Sequence, residues 1–228
     1  SAPARRADLP RRAHGPARIL STAEQFGFGT AVQLAPSLRS AAGTLPDAQT
    51  LANDGQLASF SFGQGALTVT PLQITAMMNT VANGGVYRAP AFVKGIADST
   101  GAVAAPLEPS APRTVCDEKT AKVLRSMLVS VVTEGIGAEA RPAAGMAGGQ
   151  TGTAQTGQYD ENGEELLNYW FSGFYPAQAP RYTVTVLQDG ILKPELSSAA
   201  IFEKITEILH VWDCLLYTSP SPRDYAAS

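Results

Sequence analysis

Apolar positions recur along this chain at two different spacings, and the spacings predict the elements. Ile19, Leu20, Ala23 and Phe26 fall three and four residues apart, the period of a helix over residues 16–26, with Gly27 and Gly29 placed to stop it. Residues 30–58 carry no such period. They hold Pro36, Pro46 and the turn signal Asn53-Asp54-Gly55, and read as a long irregular stretch. Thr70-Pro71 opens a second helix as N-cap and first helical residue, with Leu72, Ala76, Met77 and Val81 on its apolar side and Asn83-Gly84-Gly85 at its end. Residues 87–96 read as extended, and 98–112 as a loop with three prolines. The longest helical pattern spans 117–134, through Val123, Leu124, Met127, Leu128, Val131 and Val132, with Asp117 and Glu118 at its positive end.

Beyond residue 147 the pattern changes from helical to extended. Residues 148–157 are glycine, threonine, glutamine and alanine with no charge; 168–175 and 181–189 are rich in aromatic and β-branched residues. Asn162-Gly163 is a strong hairpin signal between the first two. Three consecutive antiparallel strands follow from this order. A last amphipathic helix over 196–211 runs through Ala200, Ile201, Ile205, Ile208 and Leu209 and is expected to pack on one face of that sheet.

Bulk properties narrow the function. The 228 residues carry a net charge of −3 and a pI near 5.4, which gives no basic field for nucleic acid. No run of 18 apolar residues occurs. Cys116 and Cys214 stand in neither metal nor redox spacing, and His14 and His210, the two histidines, are given no catalytic or metal role. Glu164 and Glu165 read as a solvated turn. No metal and no cofactor is expected.

The chemistry sits in Gly148-Gly149-Gln150-Thr151-Gly152-Thr153-Ala154-Gln155-Thr156-Gly157. A strand edge of this kind lets a ligand approach the backbone, because glycine has no Cβ in the way. Gln150-Thr151-Gly152-Thr153 resembles the Lys-Thr-Gly box of penicillin-binding proteins, the transpeptidases that cross-link bacterial peptidoglycan, with Gln150 in the lysine's place. Gly63-Gln64-Gly65 with Val69-Thr70-Pro71-Leu72-Gln73, Ala82-Asn83-Gly84-Gly85, and Trp170-Phe171-Ser172-Gly173-Phe174-Tyr175-Pro176 are similar to blocks around that box, in the same order.

The resemblance implies an α+β fold of the β-lactamase/transpeptidase kind, truncated at its N-terminal side, over residues 16–213. It implies a D,D-transpeptidase acting through an acyl-serine. The substrate would be a peptidoglycan stem peptide ending in D-Ala-D-Ala, β-lactams would bind in its place, and other cell-wall synthesis proteins would be partners. Location would be the extracytoplasmic face of the bacterial inner membrane, through an N-terminal anchor absent from this chain. Thr151, Gly152 and Thr153 would bind substrate, and Gln150 and Thr153 would be catalytic, the backbone N–H of Thr153 serving as one oxyanion donor. Neither Ser-x-x-Lys nor Ser-x-Asn occurs in the 228 residues, so the fragment is expected to be inactive alone. Two other readings share the box: a serine β-lactamase, and a silent transpeptidase-like module that binds cell-wall partners or senses β-lactams, to which Gln150 points. Residues 1–15, basic and proline-rich, are left unassigned, and 214–228 read as a non-native tail.

Overall fold

The structure, a computed structural model, describes residues 15–93, 95–106 and 110–218. In chain order the elements are α1 (Pro16–Gln25), β1 (Gln33–Ala35), β2 (Leu38–Arg39), α2 (Asp54–Ser61), α3 (Pro71–Ala82), β3 (Val86–Tyr87), β4 (Gly95–Ala97), β5 (Val103–Pro106), β6 (Arg113–Thr114), α4 (Glu118–Thr133), β7 (Gly148–Tyr159), β8 (Glu165–Tyr175), β9 (Tyr182–Ile191) and α5 (Ser198–Thr218). They fall into two compact units. One holds the residues up to Thr70 with Ala89–Ser110; the other holds Pro71–Arg88 with Ala111–Ser228.

In the first unit α1 begins at a proline, half-buries the expected face, and ends where Gly27 and Gly29 take φ of 89° and 72°. The stretch read as irregular contains a helix, α2. Asn53, expected in a turn, caps it: its Oδ1 accepts from the N–H of Gly55 at 2.9 Å and of Gln56 at 3.2 Å. At the other end Gly63 adopts φ +84°, and the Gln64 N–H returns to the Ser59 carbonyl at 2.9 Å. The Gly-Gln-Gly block is therefore this helix's C-cap. The loop expected over 98–112 includes β5, which pairs antiparallel with β4.

The second unit is built on a three-stranded antiparallel sheet in the order β7-β8-β9. Against the strands read from the sequence, β7 and β9 run two residues further at their ends, β8 begins three residues earlier and β9 one residue later, and their order is as expected. Helix α5 packs against β8 and β9, with Phe202 fully buried and its ring centroid 4.7 Å from that of Phe171. Val132, Ala140, Ala147, Tyr175 and Ala199 complete that core. Successive strand residues point to opposite faces. Phe174 accordingly lies on the other side, packed with Met78 and Ala82 of α3 and Leu128 and Val129 of α4.

Two helices differ from their predicted faces. In α3 the buried side includes Gln73, Met78 and Thr80 as well as Ala76 and Val81, and the Thr80 hydroxyl is satisfied by the Ala76 carbonyl at 2.7 Å. In α4 Ala121 and Val132 are buried, while Val123, Leu124 and Met127 of the periodic set are exposed. Asp117 caps α4 as expected: its carboxylate accepts from the Thr120 N–H at 2.6 Å, and hydrogen bonds from Thr120 hold it below the usual carboxylate range. Gly85 closes α3 with φ +88°, and a Cβ there would lie 2.2 Å from the Cys116 carbonyl oxygen, so the Ala-Asn-Gly-Gly block is fixed by packing. Helix α5 runs past residue 211 through Cys214 to Thr218. The reading of 1–15 as unassigned lies outside the described residues save Gly15, as does that of the tail beyond Thr218.

Candidate active site

Strand β7 is the edge of its sheet, hydrogen-bonded to β8 alone among the described residues. An edge strand leaves every second residue's N–H and C=O turned outward. Its root is closed by aromatic rings. A Cβ on Gly148 would lie 2.4 Å from Cζ of Phe174, and one on Gly149 would lie 2.6 Å from Cζ of Phe171. Both rings are fully buried, so neither can yield. On the partner strand Gly173 is held the same way, its Cβ position 2.6 Å from the Gly148 carbonyl oxygen.

From Gln150 onward the strand emerges. Gln150 and Thr153 are exposed, and Thr151 and Gly152 half-buried. Across the ladder Gln150 faces Ser172, Thr151 faces Phe171, Gly152 faces Trp170 and Thr153 faces Tyr169. The pleat puts Gln150 and Gly152 on one face and Thr151 and Thr153 on the other. Thr151 and Thr153, two apart, turn their backbone groups to the same side.

Gly152 differs from the glycines at the root. A Cβ there would meet only Trp170, its Cβ at 3.5 Å and its Cγ at 4.0 Å, ordinary contacts, and its φ is not positive. Among the described residues nothing requires glycine at this position. The structure thus separates glycines that serve the fold, Gly148, Gly149 and Gly173, from one that leaves the outer surface of the strand bare.

The far end of β7 is held by a clasp. Gly157 takes φ +68° at a register shift, and Glu165 receives the Gln155 side-chain amide at 2.8 Å and the Gly157 N–H at 3.2 Å. Glu165 is therefore a strand residue with a structural task and not part of a solvated turn. In the turn itself Asp160 accepts from the N–H groups of Glu164 and Asn162, the first of which does most to keep its carboxyl below the usual range.

The family model for the penicillin binding protein transpeptidase domain matches residues 9–207. This chain belongs to that family. Penicillin-binding protein PbpB of Mycolicibacterium smegmatis is 32% identical over 214 residues, covering 86% of this chain and 32% of that protein. Peptidoglycan D,D-transpeptidase PbpA of the same organism is 29% identical over 181 residues, 77% of this chain and 35% of that one. Penicillin binding protein 3 from Mycobacterium tuberculosis, solved complexed with ampicillin, superimposes with a TM-score of 0.74 at 28% identity, covering 91% of this chain and 48% of that one. The chain spans about a third of the length of these two curated relatives. Its α+β architecture is the β-lactamase/transpeptidase fold of its structural neighbours.

Within this transpeptidase-family chain the four box residues lie together on one exposed strand segment. Two features had gone unread. On one side of the sheet Ser172, Thr185 and Thr75 form a row of hydroxyls, 2.8 Å and 2.7 Å apart in turn. Their signal in the sequence is polar residues at alternate positions of strands otherwise aromatic or aliphatic. On the other side His210 Nδ1 lies 3.1 Å from the Tyr175 hydroxyl, which donates to the Ala144 carbonyl at 3.0 Å. Burial, and then the charge of Asp213, raise that phenol above its ordinary value. His210 thus ties α5 to the sheet. Cys116 and Cys214 are both free thiols. No described helix is long and apolar enough to cross a membrane.

Proposed function

We propose that this chain is the C-terminal part of a peptidoglycan D,D-transpeptidase domain and that the Thr151-Gly152-Thr153 edge holds the terminal carboxylate of a D-Ala-D-Ala stem peptide or of a β-lactam. The observation that carries the reading is Gly152: a glycine that packing does not require, on an exposed strand edge between two threonines. The names of PbpA and of the ampicillin-bound relative support it.

In this reading a serine and its lysine base come from outside these 228 residues. The serine oxygen attacks the penultimate D-Ala carbonyl, the Thr153 N–H and the serine's own N–H hold the oxyanion, and the terminal D-Ala leaves with a proton. An amine of a second stem peptide then takes the acyl group and frees the serine. The threonine hydroxyls donate to the carboxylate, and Gly152 keeps the path clear. Gln150 contributes hydrogen bonds without charge. A cation at this place would supply on the order of 4 kcal/mol of Coulomb energy before screening, so acylation is slow. The work is done at the extracytoplasmic face of the inner membrane, among other cell-wall synthesis proteins.

The test is covalent labelling of the full-length protein by a fluorescent penicillin. A labelled band that forms slowly, and is lost in Thr151→Val at an unchanged melting temperature, supports the reading; a folded protein that takes no label overturns it. Gln150 also favours a second reading, a β-lactam-sensing module. Label without any transfer between stem peptides would select it.

A further inference from the structure

The chain holds two Asn-Gly pairs, Asn83-Gly84 and Asn162-Gly163. Asparagine is thermolabile, and most so before glycine, which has no side chain to shield its nitrogen. That nitrogen gives up its proton and bonds to Cγ of the asparagine, and the Cγ–Nδ2 bond breaks with loss of ammonia. Water then opens the cyclic imide at either carbonyl. The product is aspartate or, with the main chain rerouted through the side chain, isoaspartate. Base speeds the attack, which needs the glycine N–H free and the asparagine amide swung towards it.

At the tip of the β7–β8 hairpin Asn162 and Gly163 are both exposed, and Gly163 has φ +80° with nothing within 4 Å of its Cβ position. Packing hinders nothing there, and what holds the pair is Asp160. Its carbonyl accepts the Gly163 N–H, the one that must be lost, at 3.1 Å. Its Oδ1 accepts the Asn162 N–H at 2.9 Å and the Glu164 N–H at 2.8 Å, and its Oδ2 accepts the Asn162 side-chain amide at 3.2 Å. One residue thus engages the nucleophile and the leaving group at once, and three of the bonds run to a charged acceptor, the stronger kind. The bond from Glu164 does most to keep this carboxyl below its usual range, so it is charged at neutral and alkaline pH, where the attack is fast. Asn83 is held differently. Its N–H continues the last turn of α3 to the Asn79 carbonyl at 2.8 Å, and its amide donates to the Val86 carbonyl at 3.1 Å.

We propose that Asn162 is a deamidation site of the folded protein and that Asp160 is the residue that delays the reaction there. This goes beyond the transpeptidase reading and does not depend on it. Conversion places a further negative charge beside Asp160, Glu161 and Glu164. Isoaspartate also lengthens the main chain in the turn that joins the exposed edge strand to β8.

The experiment incubates the full-length protein at mildly alkaline pH, with and without urea. Mass spectrometry follows the peptides that carry residues 83 and 162, and enzymatic methylation detects isoaspartate. In the folded parent Asn162 converts about tenfold or more slowly than in urea, the effect of losing one bond to a charged group. In folded Asp160→Ala the rate at Asn162 rises towards the urea value, while Asn83 in the same digest keeps its parental rate, a contrast that general loosening would not give. Asp160→Asn, which keeps one acceptor oxygen, falls between. Each variant is compared with itself in urea, and melting temperatures are recorded. A folded parent that converts Asn162 at the urea rate, no conversion at Asn162 in folded Asp160→Ala, or equal acceleration at both asparagines overturns the proposal. Should Asp160→Ala not fold, the parent against urea and Asp160→Asn against parent decide it: an Asp160→Asn rate equal to the parent's overturns it as well.

Discussion

Gly149 and Gly152 lie three residues apart on one strand, and substituting alanine at each has opposite expected results. At Gly149 the new Cβ would sit 2.6 Å from Cζ and 2.7 Å from Cε1 of Phe171, and 2.8 Å from the Ser172 carbonyl oxygen. The ring is fully buried against Phe202 and the carbonyl belongs to the neighbouring strand, so relief requires moving the strands apart. Overpacking of this kind costs about 1–3 kcal/mol. At Gly152 the Cβ touches Trp170 alone, no nearer than 3.5 Å, and meets no backbone strain. Alanine there restricts the unfolded chain more than the folded one and stabilises by about 0.4–1 kcal/mol. Each kcal/mol moves the melting point of a chain this size by about 2–4 °C, so thermal and urea denaturation resolve the two variants. Gly149→Ala melts lower and Gly152→Ala melts at or above the parent, while penicillin labelling of the full-length protein falls in Gly152→Ala. Equal destabilisation at both sites would refute the division between fold glycines and a binding glycine.

Three further outcomes are expected. Phe202→Ala, emptying a fully buried site against Phe171, lowers stability by about 3–5 kcal/mol in urea titration. Gln150→Lys restores a charged donor and raises the rate of fluorescent-penicillin labelling by about tenfold or more; an unchanged rate would show that charge at this position is not what limits acylation. For Tyr175 the sign is set by its raised value in the folded state: above about pH 10 the unfolded chain loses the phenolic proton while the folded one keeps it, so stability falls as pH climbs past that point. Tyr175→Phe removes this component and flattens the alkaline decline in melting temperature. It also lowers the plateau below pH 10 by about 1 kcal/mol, through loss of the bonds to Ala144 and His210.

The sheet was legible in the sequence because its strands announce themselves twice: by aromatic and β-branched residues in β8 and β9, and by Asn162-Gly163, whose glycine takes φ +80° in the turn. The box was legible through its neighbours, since Thr-Gly-Thr alone says little. Helix α2 was missed because Asn53-Asp54-Gly55 suits a turn and an N-cap equally, and only the bonds from Gly55 and Gln56 to Asn53 decide between them. β5 was missed because its neighbourhood is rich in proline. The tasks of individual glycines could not be read at all. Gly148, Gly149 and Gly152 look alike along the chain, and what separates them is a pair of phenylalanine rings more than twenty residues downstream. The hydroxyl row was hidden for the same reason, being assembled from residues 75, 172 and 185 by strand register.

The two rings over the root of β7 have an evolutionary consequence. Any residue other than glycine at 148 or 149 collides with a ring that has nowhere to go, so substitution there costs stability before it can alter the exposed edge. Variation that alters the exposed edge without loss of stability is thereby channelled outward, to residue 150 and those after it.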